Sequence, residues 1–177
     1  AMTERYFNPS SRYPAASGAA KALESDRAAV AKALGCSPRE LTFTSCGTES
    51  DNWAVRAAAE YGKRKGKHII TTAIEHHAVL NPVAELEREG YEVTYLRPTD
   101  QGTVDLAELE RALRPDTVLV SMMLVNNELG SVLPVREAVR IVRRSGAPAL
   151  FHCDAVQGFL KVPFTPKSLG VDLLAVS

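Results

Sequence analysis

Val118-Leu119-Val120-Ser121-Met122-Met123-Leu124-Val125-Asn126-Asn127-Glu128-Leu129-Gly130 reads as a buried strand that ends in a polar turn. Seven of its first eight residues are apolar and the eighth is Ser121. So apolar a run suits a strand covered on both faces, as strands of parallel sheets are. Two amides and a carboxylate follow it, and burying them there is costly unless they are bonded. Asn and Gly also form turns, and taken alone this stretch needs no more than a turn.

The pattern recurs on either side. Leu41–Thr44 leads into Ser45-Cys46-Gly47-Thr48, and His68–Thr72 into Glu75-His76-His77. Ala149–His152 leads into Asp154-Ala155-Val156-Gln157, and Leu173–Val176 ends at Ser177. In an open parallel α/β sheet, ligands bind in the crevice outside the carboxyl ends of the strands. Five polar clusters placed there describe one cofactor site.

Helical patterns fill the intervals. Ala19 to Leu34 carries apolar residues at helical spacing and stops at Gly35. Thr48 to Arg64 and Ala78 to Glu89 read as helices, with Pro82 near the first turn of the second. Glu92–Leu96 is a further strand. Asp105 opens a helix with Glu108 three residues on, a capping-box pattern, and Pro115 closes it. Pro134 suits the first turn of a helix running to Gly146. Alternating β and α elements predict an α/β fold, a mostly parallel, doubly wound sheet flanked by helices. No repeat, low-complexity tract or linker divides residues 1–177, so one domain is expected.

The chain has 177 residues, of which 45% are apolar, enough for a real core. Lys+Arg and Asp+Glu both number 21, a balance that leaves no basic footprint for nucleic acid or an anionic membrane surface. No apolar run approaches the length of a membrane span. Cys36, Cys46 and Cys153 are odd in number and widely spaced. They make no disulfide framework, so a reducing cytoplasm is the expected location. Ala1-Met2 is an unusual start, and Val171 to Ser177 reads as a strand that stops where a loop should begin, which suggests an internal fragment.

Each cluster has a chemical reading and a plainer one. Small residues in Ser45-Cys46-Gly47-Thr48 would let an anion approach free amides at a helix start, with the Thr48 hydroxyl as a further donor. The plainer account is an ordinary helix cap. The loop lacks the Gly-Lys-Ser/Thr of a Walker motif and the recurring glycines of a dinucleotide fingerprint. An imidazole from Glu75-His76-His77 could stack on a flat ring or move protons, or be a hydrogen-bonded loop histidine. A carboxylate just past a buried strand, Asp154, suits holding a proton on a heteroaromatic nitrogen, as pyridoxal phosphate requires. Gln157 could reach the same ring. Asp154 as a helix cap is the alternative. Glu75, His76, His77, His152, Cys153 and Asp154 are all possible metal ligands, but their spacing matches no metal motif, and none is assigned to a metal.

Together these residues resemble the cysteine desulfurases of the nitrogen-fixation and iron–sulfur-assembly type, within the class V aminotransferase family of fold-type-I pyridoxal-phosphate enzymes. The matching stretches are Phe43 to Asn52, Glu75-His76-His77-Ala78-Val79-Leu80, Val125 to Gly130 and His152 to Gln157, with Asn8-Pro9-Ser10-Ser11 near the start. The resemblance implies the large-domain fold of a pyridoxal-phosphate-dependent transferase and pyridoxal 5'-phosphate as cofactor. It implies that Gly47 and Thr48 hold the phosphate, with Ser177 a further phosphate ligand. It implies that His76 stacks on the pyridine ring and acts as the catalytic group in proton transfers. Asp154 would pair with the ring nitrogen, and Asn127 and Gln157 would contact the ring hydroxyl and its surroundings.

The implied reaction takes L-cysteine to L-alanine, with the sulfur held as an enzyme persulfide for a sulfur-accepting iron–sulfur scaffold protein. A homodimer is implied too. The Schiff-base lysine, the persulfide cysteine and a small domain would lie beyond Ser177, and the family's first strand before Ala1, so the fragment alone is expected to be inactive. Tyr13 stands where the family usually has histidine. The three cysteines match no family role, and structural roles are expected for them. The alternatives are another fold-type-I enzyme (a selenocysteine lyase or an aminotransferase), a non-catalytic binding or structural domain, and a metal-binding protein using His76, His152 and Asp154.

Overall fold

The computed structural model describes residues 6–177. The Ala1-Met2 start lies outside the described residues. The chain divides into two compact units, Ala1–Phe43 and Thr44–Ser177.

In the first unit, α1 spans Pro14–Leu34. Proline at its first position has no N–H to lose and a φ already set for a helix. Gly35 ends it in the left-handed region, φ 72°, where glycine alone escapes the Cβ clash. A single 3-10 turn, Pro38–Glu40, follows behind a reciprocal capping box between Ser37 and Glu40. Leu41–Thr44, expected as a strand, joins no ladder. A strand needs a partner for its backbone groups. Here the Leu41 carbonyl accepts instead from the Arg27 guanidinium at 2.7 Å.

The second unit is a five-stranded sheet in the order β2-β1-β3-β4-β5, parallel throughout. Its strands are β1 His68–Thr72, β2 Glu92–Leu96, β3 Thr117–Ser121, β4 Leu150–Asp154 and β5 Leu173–Ala175. The chain steps outward from β1 to β2, then returns past β1 to β3 and proceeds the other way. The order therefore reverses between β1 and β3, the place where doubly wound sheets open a crevice.

Helices α2 Gly47–Gly62 and α3 His77–Arg88 cover one face, where Val55, Ala58, Val79, Val83 and Leu86 pack on Ile69, Val118 and Leu119. Helices α4 Leu106–Ala112 and α5 Val135–Ser145, with the short α6 Pro166–Leu169, belong to the other face. There Leu109, Val135, Ala138 and Val142 meet Ile70, Val120 and Phe151. Adjacent Ile69 and Ile70 serve opposite cores, as the alternation of a strand dictates. Each such fully buried side chain contributes about 1.5–3 kcal/mol.

The strand expected over Val118–Val125 ends at Ser121. Beyond it the ladder loses its regularity but not its bonds. The Met122 and Leu124 amides donate to the carbonyls of His152 (3.1 Å) and Asp154 (2.8 Å). Asp105 caps α4 through the Ala107 amide at 2.8 Å.

Candidate active site at the carboxyl edge of the sheet

The ends of β1, β3, β4 and β5 and the start of α2 enclose an open pocket of about 280 Å³. All seven residues singled out from the sequence line it: Gly47, Thr48, His76, Asn127, Asp154, Gln157 and Ser177. Cys46, Asp51, Met123 and Val156 complete the lining.

The anion end is the start of α2. Cys46 is the N-cap residue and no side-chain hydrogen bond caps the helix, so only a weakly accepting thiol lies by the first-turn amides. Glu49 instead reaches back to the Ser45 amide. A Cβ on Gly47 would lie 3.1 Å from Val156 Cγ2 and 3.4 Å from Ser177 Cβ, so a side chain would crowd the cup. Asn52 fixes the cup in place: its side-chain amide donates to the carbonyls of Thr48 and Ala78, both at 3.0 Å, tying the start of α2 to that of α3.

His76 is the N-cap of α3, where its Nδ1 accepts from the Ala78 amide at 3.1 Å. The loop-histidine reading thus holds for Nδ1, and that bond fixes a ring that also lines the pocket. The neighbouring asparagines divide the work. Asn126 is buried and builds the turn, donating to the Ile74 carbonyl (3.0 Å) and accepting from the amides of Glu128 (3.0 Å) and Leu129 (2.8 Å). Asn127, held by that turn, lines the pocket.

Asp154 closes β4, and its Oδ1 accepts from the Val156 amide at 2.9 Å. Burial pushes its carboxyl above the usual range and Asp51 pushes it further, while His152 and His76 draw it back. Glu75 is buried nearby. It accepts from the Thr72 hydroxyl at 2.7 Å and the Met123 amide at 2.9 Å. Desolvation raises its pKa to about 8, so Glu75 is mostly protonated at neutral pH.

Two residues depart from the sequence reading. Cys46 is not packed in a structural role but exposed at the pocket, its thiol drawn down chiefly by the Glu49 amide and the Ser45 hydroxyl. Cys153, by contrast, is buried in the core, where desolvation pushes its thiol well up. Asp51 went unread. It shares a helical stripe with Val55, Ala58, Ala59 and Gly62, all buried. A carboxylate on an otherwise apolar stripe is the signal that could have marked it.

The pocket suits a phosphorylated heteroaromatic group. One end offers uncapped helix amides, a threonine hydroxyl and a glycine cradle; the other offers a buried carboxylate for a ring nitrogen. Among the described residues, no three His, Cys, Asp or Glu side chains are grouped to hold a metal ion, and no helix is long and apolar enough to cross a membrane.

Known proteins agree with this geometry. The cysteine desulfurase IscS of Anaeromyxobacter sp. (strain K) is 47% identical over 177 residues, covering 99% of this chain and 43% of that relative. A solved NifS-like protein superposes with a TM-score of 0.95 at 43% identity, covering 98% of this chain and 48% of the other. The structure described as SspA in complex with cysteine gives 0.92 at 36% identity, covering 99% and 50%. The chain thus spans less than half the length of the curated relative it matches. The aminotransferase class-V model matches residues 2–177, and the chain belongs to that family.

Proposed function

We propose that this chain is the cofactor-binding large domain of a cysteine desulfurase that takes L-cysteine to L-alanine. In this reading the pocket holds pyridoxal 5'-phosphate, and the whole enzyme retains the sulfur as a persulfide for iron–sulfur cluster assembly. The observation that carries the proposal is the pairing of an uncapped helix start with a buried carboxylate across one pocket. Bound there, the cofactor supplies an electron sink for bonds at the substrate α-carbon.

The chain's own residues do the rest. The Gly47 and Thr48 amides and the Thr48 and Ser177 hydroxyls bind the phosphate. Asp154 keeps a proton on the ring nitrogen through a charge-assisted bond. His76, fixed by the Ala78 amide, presents its ring to the cofactor and its Nε2 to proton transfer. Asn127 and Gln157 orient the ring through its hydroxyl. The SspA structure with cysteine and the relatives named cysteine desulfurase support cysteine over other amino acids as substrate. A homodimer, a scaffold protein that accepts the sulfur and a cytoplasmic location complete the reading.

Turnover of the full-length enzyme tests it, with L-cysteine, L-selenocysteine and an amino-acid/keto-acid pair compared side by side. Sulfide release from cysteine should exceed transamination by at least about a hundredfold, on the order of 3 kcal/mol in barrier height. Transamination matching or exceeding sulfide release would replace the desulfurase with an aminotransferase.

A further inference from the structure

At the floor of the pocket, where Asp51 joins the lining, lies a pair the reaction described above does not use. His152, on β4, is fully buried, and Asp51, on α2, nearly so. His152 Nε2 stands 3.4 Å from Asp51 Oδ1. Neither atom has a hydrogen-bond partner, and each is inaccessible to solvent. The other ring nitrogen, Nδ1, is 2.9 Å from the Ser121 hydroxyl. Both nitrogens therefore face oxygens that can accept, an arrangement suited to a ring protonated on both. A buried carboxylate and a buried imidazole left without a partner would each be expensive, and pairing them offsets part of that cost.

The surroundings say why such a pair is needed. Three buried carboxyl groups from three elements lie within electrostatic reach of one another: Asp51 of α2 and Asp154 of β4, which line the pocket, and Glu75 of the loop after β1 behind them. His76 from the same loop and Cys153 of β4 are the other titratable groups facing them. Like charges packed this closely cannot all ionise. Burial favours the protonated form of Glu75. An unopposed Asp51 would press a proton onto Asp154 as well.

We infer that Asp51 and His152 form a positioning ion pair at the floor of the pocket, in which the His152 imidazolium neutralises Asp51 so that the free negative charge of the floor resides on Asp154. The value of this to the enzyme rests on the functional reading, in which an ionised Asp154 holds the proton of the cofactor ring. The charge placement itself does not depend on any cofactor. His152 and Asp51 touch neither substrate nor ring in this scheme and act through Asp154.

Carboxyl-carbon NMR of the cofactor-free full chain, recorded against pH, reads the midpoint of Asp154 directly. His152→Gln keeps a polar side chain but cannot carry charge, and should raise that midpoint by about one pH unit or more, a tenfold change in proton affinity. Asp51→Asn should lower it by a similar amount. Asp51→Asn is nearly isosteric and relieves repulsion, so it remains informative if His152→Gln fails to fold. The double variant should return the midpoint close to the parent value.

An Asp154 midpoint unmoved by Asp51→Asn, or moved upward, overturns the pair. Pyridoxal 5'-phosphate binding, measured by absorbance on the same samples, separates the two ideas. Midpoints that move as expected without cofactor binding would uphold the pair and remove the functional reading. Binding with a fixed midpoint would remove the pair alone.

Discussion

The sheet buries two histidines, His68 at the entry to β1 and His152 in the middle of β4; each has Nδ1 on a hydroxyl, and they differ at the other nitrogen. His68 has both ring nitrogens engaged, by the hydroxyls of Thr117 (2.8 Å) and Thr94 (2.9 Å). Around it Arg114 forms salt bridges with Asp116 and Glu92. His152 has one nitrogen bonded and the other facing a carboxylate across 3.4 Å. The orphaned side-chain atoms among the described residues belong to Asp51, Thr71, Glu75 and His152, on the elements that carry the pocket. Burial of polar groups is thus settled at one edge of the sheet and left open at the other. Unsatisfied polarity costs stability, and it persists where a site needs charge in a particular place.

Asp154→Asn should break this contrast most sharply. In the full-length enzyme it should cut kcat by at least about a hundredfold, because a neutral amide cannot hold the ring proton. Chemical denaturation should show stability unchanged or slightly raised, since a buried charge is removed. Turnover that survives this change would contradict the role of Asp154.

Glu75 gives the next effect, in stability against pH. Its pKa is raised to about 8 in the folded chain from an ordinary 4.5, so the native state binds the extra proton between those values. Stability from this group is therefore present at low pH and is lost as pH rises from about 5 to 8, by a few kcal/mol at most. Glu75→Gln should flatten that slope in urea titrations at several pH values. His68 works with the opposite sign. Burial lowers its pKa, so the folded state resists protonation and loses stability as pH falls below about 6.5.

His68→Ala should destabilise by about 1–3 kcal/mol, because it leaves the Thr117 and Thr94 hydroxyls without their partner and opens a void. Cofactor affinity should not change. A loss of binding would mean that the two edges are not separable. The smallest effect belongs to the surface: Arg56→Ala removes the pairs to Glu85 and Glu89, all half-exposed, and should cost under about 0.5 kcal/mol in the same denaturation assay.

Much of this was legible in the residues themselves. β2 spans Glu92–Leu96 as expected, four of the helices lie within a few residues of their expected bounds, and α1 begins at Pro14, five residues before its expected start. The capping serine and threonine of Pro38–Glu40 and Pro166–Leu169 lie in the sequence, but segments so short carry no period and went unread. Leu41–Thr44 has strand residues but no strand, since composition says nothing of whether a partner is adjacent. Each polar cluster sent at least one residue to the pocket, four of them because parallel strands bring their carboxyl ends to one edge and the fifth from the start of α2. Asp51 could not be found that way. It comes from the interior of a helix, and only the folded chain reveals that its stripe passes under Asp154's floor.

The most direct measurement is a titration of the full chain with pyridoxal 5'-phosphate and, separately, with pyridoxal, followed by absorbance in the parent and in Asp154→Ala. The phosphorylated ligand should bind at least about tenfold more tightly than pyridoxal, and Asp154→Ala should erase most of that affinity, each a difference of 1.4 kcal/mol or more. Equal binding of the two ligands, unchanged by Asp154→Ala, would contradict a phosphate cup and a ring-nitrogen partner facing each other across this pocket.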